Sequence, residues 1–161
     1  MNAEIISVGT ELLLGAVVNT DTAIVARALS ELGIDLMHTC VVGDNPRRLK
    51  EAVEGAIARS GLLIMTGGLG PTTDDLTKET TAAAAGKKLV LHEESLRRIE
   101  NYFNEKHVSE NQAKQAWLPE GCTVLQNDNG TAPGCAFQAE NGCTIIMLPG
   151  PPSELAPMLD N

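Results

Sequence analysis

Over its first half the chain alternates short apolar runs with longer stretches in which apolar residues recur every three or four positions. Ala3 to Val8, interrupted only by Glu4 and Ser7 and bounded by Gly9, predicts a strand. After Glu11, Leu12-Leu13-Leu14 and Gly15, the cluster Asn19-Thr20-Asp21 supplies candidate helix caps. The helix that follows places Ile24, Ala28 and Leu32 on one side with Val25 and Leu29 beside them, turns Arg27 and Glu31 to the other face, and stops at Gly33. Ile34 to Val42 predicts a second strand closed by Gly43-Asp44. Asn45 then caps a helix with Pro46 at its first position, a buried stripe of Leu49, Val53, Ala56 and Ile57, and an end at Gly61. Leu62 to Met65 predicts a third strand, and Asp74 to Ala85 a helix stopped by Gly86. Such alternation with short connections predicts a single α/β domain over residues 1–161, with three layers and a mostly parallel sheet covered by helices on both faces.

The rhythm changes after Leu91. His92 to Lys106 predicts an amphipathic helix with Leu96, Ile99 and Phe103 inward, and Asn111 to Trp117 a shorter helical piece broken at Leu118-Pro119-Glu120-Gly121. Thr123 to Leu125, Gly134 to Gln138 and Cys143 to Leu148 predict strands, the last two paired as a hairpin across Glu140-Asn141-Gly142. Ser153 starts a final helix behind Pro149-Gly150-Pro151-Pro152. That helix runs to the end of the chain at Asn161, as in one domain of a longer protein or a short stand-alone form.

A formal charge of −9, from 12 Lys and Arg against 21 Asp and Glu, argues against a nucleic-acid or anionic-membrane surface, since both need clustered cations. Met1-Asn2-Ala3-Glu4 is not a basic leader, and no apolar run reaches bilayer length, so the expectation is a cytoplasmic protein. Cys40, Cys122, Cys135 and Cys143 show neither Cys-x-x-Cys nor zinc-type spacing with His38, His92 or His107, and are expected to be reduced thiols.

Candidate chemistry concentrates between Leu62 and Glu79, LLIMTGGLGPTTDDLTKE. A strand that runs through Thr66-Gly67-Gly68-Leu69-Gly70-Pro71 into a helix lets backbone approach a ligand closely and aims free N–H groups at it, the build of an anion site. No Gly-Lys-Ser/Thr follows, and the Gly-x-Gly-x-x-Gly fingerprint is absent. Asp74 and Asp75 stand there instead, either as caps of the helix or as carboxylates that reach phosphate through a divalent metal. In an open parallel sheet the strand ends share one edge. Gly9-Thr10-Glu11, Gly43-Asp44, Thr66-Gly67-Gly68 and Pro149-Gly150 would then bring Glu11, Asp44, Asp74 and Asp75 to one ligand, some as metal ligands and one as general base. A solvated loop acid at Glu11 and a self-bonded turn at Asp44 are the plain alternatives. Asn127-Asp128-Asn129-Gly130-Thr131 and Asn111-Gln112-Ala113 suit recognition of a base or ribose, and equally an ordinary surface.

Five blocks, Gly9-Thr10-Glu11-Leu12-Leu13-Leu14-Gly15, Val42-Gly43-Asp44-Asn45, Thr66 through Asp75, Asn111-Gln112-Ala113 and Leu148-Pro149-Gly150-Pro151-Pro152-Ser153-Glu154, together resemble the amino-terminal domain of competence/damage-inducible CinA proteins. The resemblance covers nearly the whole chain. The central block also resembles the Thr-Gly-Gly-x-Gly…Asp signature of the wider MoaB/MogA-like molybdopterin-binding superfamily, with Asp75 and Thr77 at its Asp-x-Thr positions. What the resemblance implies is a parallel-rich α/β fold, a homo-oligomer (dimer or trimer), and hydrolysis of ADP-ribose to AMP and ribose 5-phosphate with a divalent metal (Mg, Mn or Co). On this chain it implies backbone contacts to phosphate from Gly67, Gly68 and Gly70, and metal or substrate ligation by Asp44, Asp74 and Asp75. It further implies a pocket wall of Pro149, Gly150, Pro151 and Pro152; Thr10, Thr66, Thr77, Gln112 and Asn129 are further candidate substrate contacts. Glu11 is the candidate base. Larger relatives continue into a domain resembling nicotinamide-mononucleotide amidohydrolases, of which these residues contain nothing. Two other functions are a non-catalytic nucleotide-binding or assembly module and adenylyl transfer to molybdopterin.

Overall fold

A computed structural model describes residues 1–160. Its elements run β1 (Asn2–Val8), α1 (Thr10–Leu13), α2 (Asp21–Glu31), β2 (Asp35–Val42), α3 (Pro46–Arg59), β3 (Leu62–Thr66), α4 (Thr77–Ala84), β4 (Leu89–Leu91) and α5 (Glu93–Phe103). Then come α6 (Glu110–Ala113), a 3-10 turn (Lys114–Ala116), β5 (Trp117–Pro119), β6 (Thr123–Leu125), β7 (Gly134–Gln138), β8 (Thr144–Leu148) and α7 (Pro152–Met158). The main sheet has the order β2-β1-β3-β8-β7-β6, parallel from β2 to β8, with β7 antiparallel to both of its neighbours. Val8 lies opposite Val42, Ser7 opposite Thr66, and Thr66 opposite Leu148, so the four parallel strands finish at one level. Strand order reverses between β1 and β3, where open sheets leave a crevice at their carboxyl edge.

Successive residues of the central strands serve opposite faces. Ile6, Val8, Leu63 and Met65 pack with Leu49, Val53, Ala56 and Ile57 of α3, while Ala3, Ile5, Leu62 and Ile64 pack with α2 and α7 through Val25, Leu29, Leu155 and Met158. Fully burying one such aliphatic side chain contributes about 1.5–3 kcal/mol, so this two-sided pattern fixes which helices lie on which face. The helix starts follow local chemistry: the Asn45 side chain accepts from the Arg48 N–H, and Pro46 fills the first turn of α3. The three-layer, mostly parallel architecture and the β7–β8 hairpin are therefore as the hydrophobic pattern predicts.

Some boundaries differ from expectation. The helix after the glycine turn starts at Thr77 rather than Asp74, because Asp75 Oδ2 accepts from the Thr72 N–H at 2.9 Å and the Thr72 hydroxyl at 2.7 Å, closing a turn over the intervening residues. Phe103 does not reach the core: it is 38% exposed and meets Tyr102 edge-on, while Ile99 is the residue α5 buries. Strands β4 and β5 form a separate antiparallel ladder, and three residues are too few to display a period of two. All four cysteines are free thiols, and among the described residues no helix is long and apolar enough to cross a membrane.

One carboxylate is built into the sheet. Glu4 is 2% exposed and accepts from Arg59 Nε at 2.6 Å, Arg59 Nη2 at 2.7 Å and Ser60 Oγ at 2.5 Å. Burial pushes its carboxyl up, but the bonds from Arg59 and Ser60 outweigh burial and hold it below its ordinary value. A group depressed in the folded state contributes stability above its unfolded pKa and loses it as pH falls through the folded one. Glu4→Gln is expected to lower the thermal midpoint at neutral pH, with the gap to the wild type closing as pH drops below the ordinary carboxylate range. A gap that stays constant with pH in calorimetry would reduce Glu4 to a packing role.

Candidate functional site

The glycine turn is shaped by two close approaches. Gly67 and Gly68 have φ of +86° and +71°, a region that costs any other L-residue energy. A Cβ on Gly67 would collide with the Val8 carbonyl oxygen, and one on Gly68 with the Thr77 hydroxyl. Thr77 is fully buried, donates Oγ1–H to the Gly67 carbonyl at 2.8 Å, and donates its N–H to the Gly68 carbonyl at 3.3 Å. It locks the turn, which corrects its expected role as a substrate contact. The Gly67 N–H donates to the Leu148 carbonyl at 3.0 Å and belongs to the sheet, whereas the amides of Gly68, Leu69 and Gly70 have no backbone partner among the described residues. Those three are the donors the turn can offer an anion.

Above the ends of β1, β3 and β8 lies a cavity of about 440 Å³. Of the residues singled out in the sequence, Glu11, Thr66, Gly67, Gly68, Gly70, Asp75, Pro149, Gly150 and Pro151 line it. Thr10, Asp44, Asp74, Thr77, Gln112 and Asn129 are not part of its lining, and the reasons are local. Asp44 Oδ2 accepts from the Thr10 N–H at 3.2 Å and Thr10 Oγ1 accepts from the Asp44 N–H at 2.9 Å, a reciprocal clamp between the loops after β1 and β2. Asn129 donates to the Ser153 carbonyl at 2.8 Å, and the Gln112 side-chain carbonyl accepts from Gln115 Nε2 at 3.0 Å. Asp74 is exposed and lies outside the cavity lining. Among the described residues no three His, Cys, Asp or Glu side chains are grouped to hold a metal ion, so Asp44, Asp74 and Asp75 do not form the metal-binding set expected of them.

Three lining residues carry no comparable signal in the sequence, Asp21, Gln115 and Glu154, while Thr131 belongs to the 127–131 cluster that suits a base or ribose. Gln115 is 1% exposed and accepts from the Thr131 hydroxyl at 2.8 Å. Its segment is seated by two lysines. Lys78 Nζ donates to the Lys114 and Gln115 carbonyls at 2.9 and 3.1 Å, while Lys114 Nζ donates to the Thr72 carbonyl at 2.8 Å and also to that of Asp75. Burial pushes the Lys78 ammonium down to about 8. Glu154 Oε1 accepts from Asn127 Nδ2 at 2.7 Å, tying the loop after β6 to α7. Burial pushes the Asp21 carboxyl up to about 6, and its Oδ1 is sealed without a donor. No Lys, Arg or His lines the cavity among the described residues, while Glu11, Asp21, Asp75 and Glu154 do.

A crevice at the point where strand order reverses, floored by a glycine turn with free amides, defines a doubly wound α/β ligand-binding domain. Residues 4–161 match the family model described as "Probable molybdopterin binding domain". The CinA-like protein of Desulfovibrio desulfuricans is 56% identical over 161 residues, an alignment that takes in 100% of this chain and 38% of that protein. The crystal structure of CinA from Thermoplasma acidophilum superposes with a TM-score of 0.92 at 35% identity, covering 99% of this chain and 94% of that one. The Mog protein of Mycobacterium ulcerans, at 24% identity and a TM-score of 0.65 over 99% and 90% of the two chains, shares the fold. The chain belongs to this molybdopterin-binding domain family and, within it, to the CinA-type proteins. It spans about two fifths of the length of the curated relatives it matches, 39% in the Acetivibrio thermocellus protein.

Gly68→Ala is expected to cost about 1–3 kcal/mol in urea unfolding through its left-handed backbone and the collision with Thr77. Adding Thr77→Ala removes the colliding hydroxyl, so the double variant should lose less than the sum of the two singles. Strict additivity would show that the two residues are not in contact.

Proposed function

We propose that this domain binds a two-headed nucleotide along its strand ends and hydrolyses the pyrophosphate, as in ADP-ribose to AMP and ribose 5-phosphate. The observation that carries the reading is the coincidence, in one cavity of about 440 Å³, of unpartnered amides on a glycine turn with carboxylates and no cation. The amides suit the phosphates, and the apolar Val17, Val18, Pro151 and Pro152 suit the flat face of a base. In the reaction, a water oxygen forms a bond to one phosphorus as the bond from that phosphorus to the bridging oxygen breaks. Glu11, on the cavity wall, takes the water proton, and the departing phosphate keeps the bridging electron pair.

Carboxylates beside a diphosphate repel it unless a divalent cation accompanies it, and the carboxylates on the lining, its only charged groups among the described residues, fit a hard cation held mainly by phosphate and water. Asp75, on the cavity lining, would hold such an ion, which when bound would neutralise charge on the phosphates. Asp75 also closes the turn at Thr72, so it fixes the shape of the glycine loop that receives the ligand.

A second reading, a nucleotide-binding module without turnover, draws support from the absence, among the described residues, of a side-chain group able to hold a metal unaided. AMP release from ADP-ribose with Mg²⁺, Mn²⁺ or Co²⁺, against a chelator control, separates the two. Metal-dependent release is expected, and Asp75→Asn should lower it by about 100-fold or more. Unchanged turnover in Asp75→Asn would remove the site assignment, and tight binding with no release under any metal would leave the module.

A further inference from the structure

Asp21 opens α2 inside the cavity and has no part in the chemistry above. It is 8% exposed, and its Oδ1 is sealed from solvent with no hydrogen-bond donor. The helix start does not supply one: the Thr22 N–H goes to Asn19 Oδ1 at 3.4 Å and the Ile24 N–H to the Thr20 carbonyl at 3.1 Å. Nor do the charged groups around it. The titratable residues that share the cavity are Glu11, Asp75 and Glu154, all acids. Of the elements packed on α2, β1 carries Glu4, already bound by Arg59 and Ser60, β2 carries Asp35 and His38, and α7 carries Glu154. None of them partners Asp21 Oδ1.

An ionised carboxylate with one dry, undonated oxygen is costly, and protonation relieves that cost. Burial accordingly pushes Asp21 up to about 6. In the neutral acid the sealed Oδ1 is the carbonyl, which tolerates an apolar setting best. The hydroxyl then falls on Oδ2, the oxygen that is not among the sealed, unpartnered atoms of this cavity-lining residue, and there it is a donor. We propose that Asp21 meets the ligand as a neutral carboxylic acid, donating its Oδ2 hydroxyl to an acceptor atom of the nucleotide, so that binding takes up one proton from solvent. The inference rests on the nucleotide reading above and adds a donor from the same 17–21 segment that lines the cavity with the apolar side chains of Val17 and Val18. A metal ion or a cationic ligand at Asp21 would demand the opposite state, the anion.

The sign of the pH dependence decides. The experiment is calorimetric titration of ADP-ribose into the protein from about pH 6 to about pH 8, with Ca²⁺ in place of Mg²⁺, Mn²⁺ or Co²⁺ so that a divalent cation accompanies the diphosphate, over times in which no AMP is released. The bridging phosphates of ADP-ribose lack the second ionisation near pH 6 that a phosphate monoester has, so the ligand does not titrate in this window. Wild-type affinity is expected to fall as pH rises above about 6, by up to about tenfold per unit, with proton uptake seen as a dependence of the heat on buffer. Asp21→Asn, whose amide donates at every pH, should bind with a flat profile. Asp21→Ala, which has no donor, should bind more weakly than Asp21→Asn throughout. Both variants lose a buried unpaired acid and should unfold no earlier than the wild type at pH 8.

Affinity that rises with pH, a flat wild-type profile, or a wild-type profile retained in Asp21→Asn would each overturn the proposal. AMP release measured on the same preparations keeps the two readings apart. Turnover with a pH-independent wild-type affinity removes the Asp21 assignment alone, and proton-linked binding without turnover removes the hydrolase alone. No ADP-ribose binding at all removes both.

Discussion

The hydroxyl of Thr77 on the carbonyl of Gly67 is the contact on which the rest of the site depends. It holds two successive left-handed glycines against the end of β1, where the Val8 carbonyl leaves no room for a side chain, while the Gly67 amide stays in register with Leu148. With the first amide bound to the sheet and the turn fixed from beneath, the next three amides are left along the cavity without partners. The threonine hydroxyl is committed to the turn. Its burial gives the turn one conformation, and a preorganised donor set costs nothing to order when an anion arrives.

Charge distribution sets the second constraint. The chain surrounds its cavity with acids and keeps its lysines for structural work, Lys78 and Lys114 each spanning two backbone carbonyls to clamp the 114–116 turn onto the glycine loop. A cation placed under the loop rather than in it stabilises the scaffold without neutralising a ligand. Negative ligands must therefore bring a counter-charge, meet neutral donors, or both. The free amides, the Gln115–Thr131 pair and a neutral Asp21 are all donors of that kind.

The strand ends also show why a shared sheet edge does not guarantee a shared site. The loops after β1 and β2 both begin at the level of Val8 and Val42, yet Asp44 and Thr10 spend their polar groups on one another. Strand β2 is at the sheet margin, one strand away from the reversal point between β1 and β3, and its loop closes the edge instead of entering the cavity. From the opposite side, the loop after β6 arrives through Thr131 and Ala132, and Asn127 anchors it to Glu154.

Local pattern was sufficient for the layers of this fold. The short apolar runs Ala3–Val8 and Leu62–Met65, the Asn45-Pro46 helix start and the Asn141-Gly142 hairpin are each decided by neighbours in the chain, and each stands in the structure as the sequence implies. The glycine turn was legible for the same reason, since only glycine takes its backbone angles cheaply. Which polar side chains face the cavity was not legible. Asp44, Asp74 and Thr77 have the residue types expected of ligands, yet all three lie outside the cavity lining, Asp44 and Thr77 bonded to distant partners and Asp74 exposed. Asp21 and Gln115 read as an ordinary cap and an ordinary helix residue, and it took the packing of α2 against the strand ends and of the 114–116 turn against the glycine loop to bury them in the site. Backbone conformation is governed by the residue and its neighbours, so sequence determined it here; burial and pairing are properties of elements far apart in the chain, and only the tertiary structure decided them.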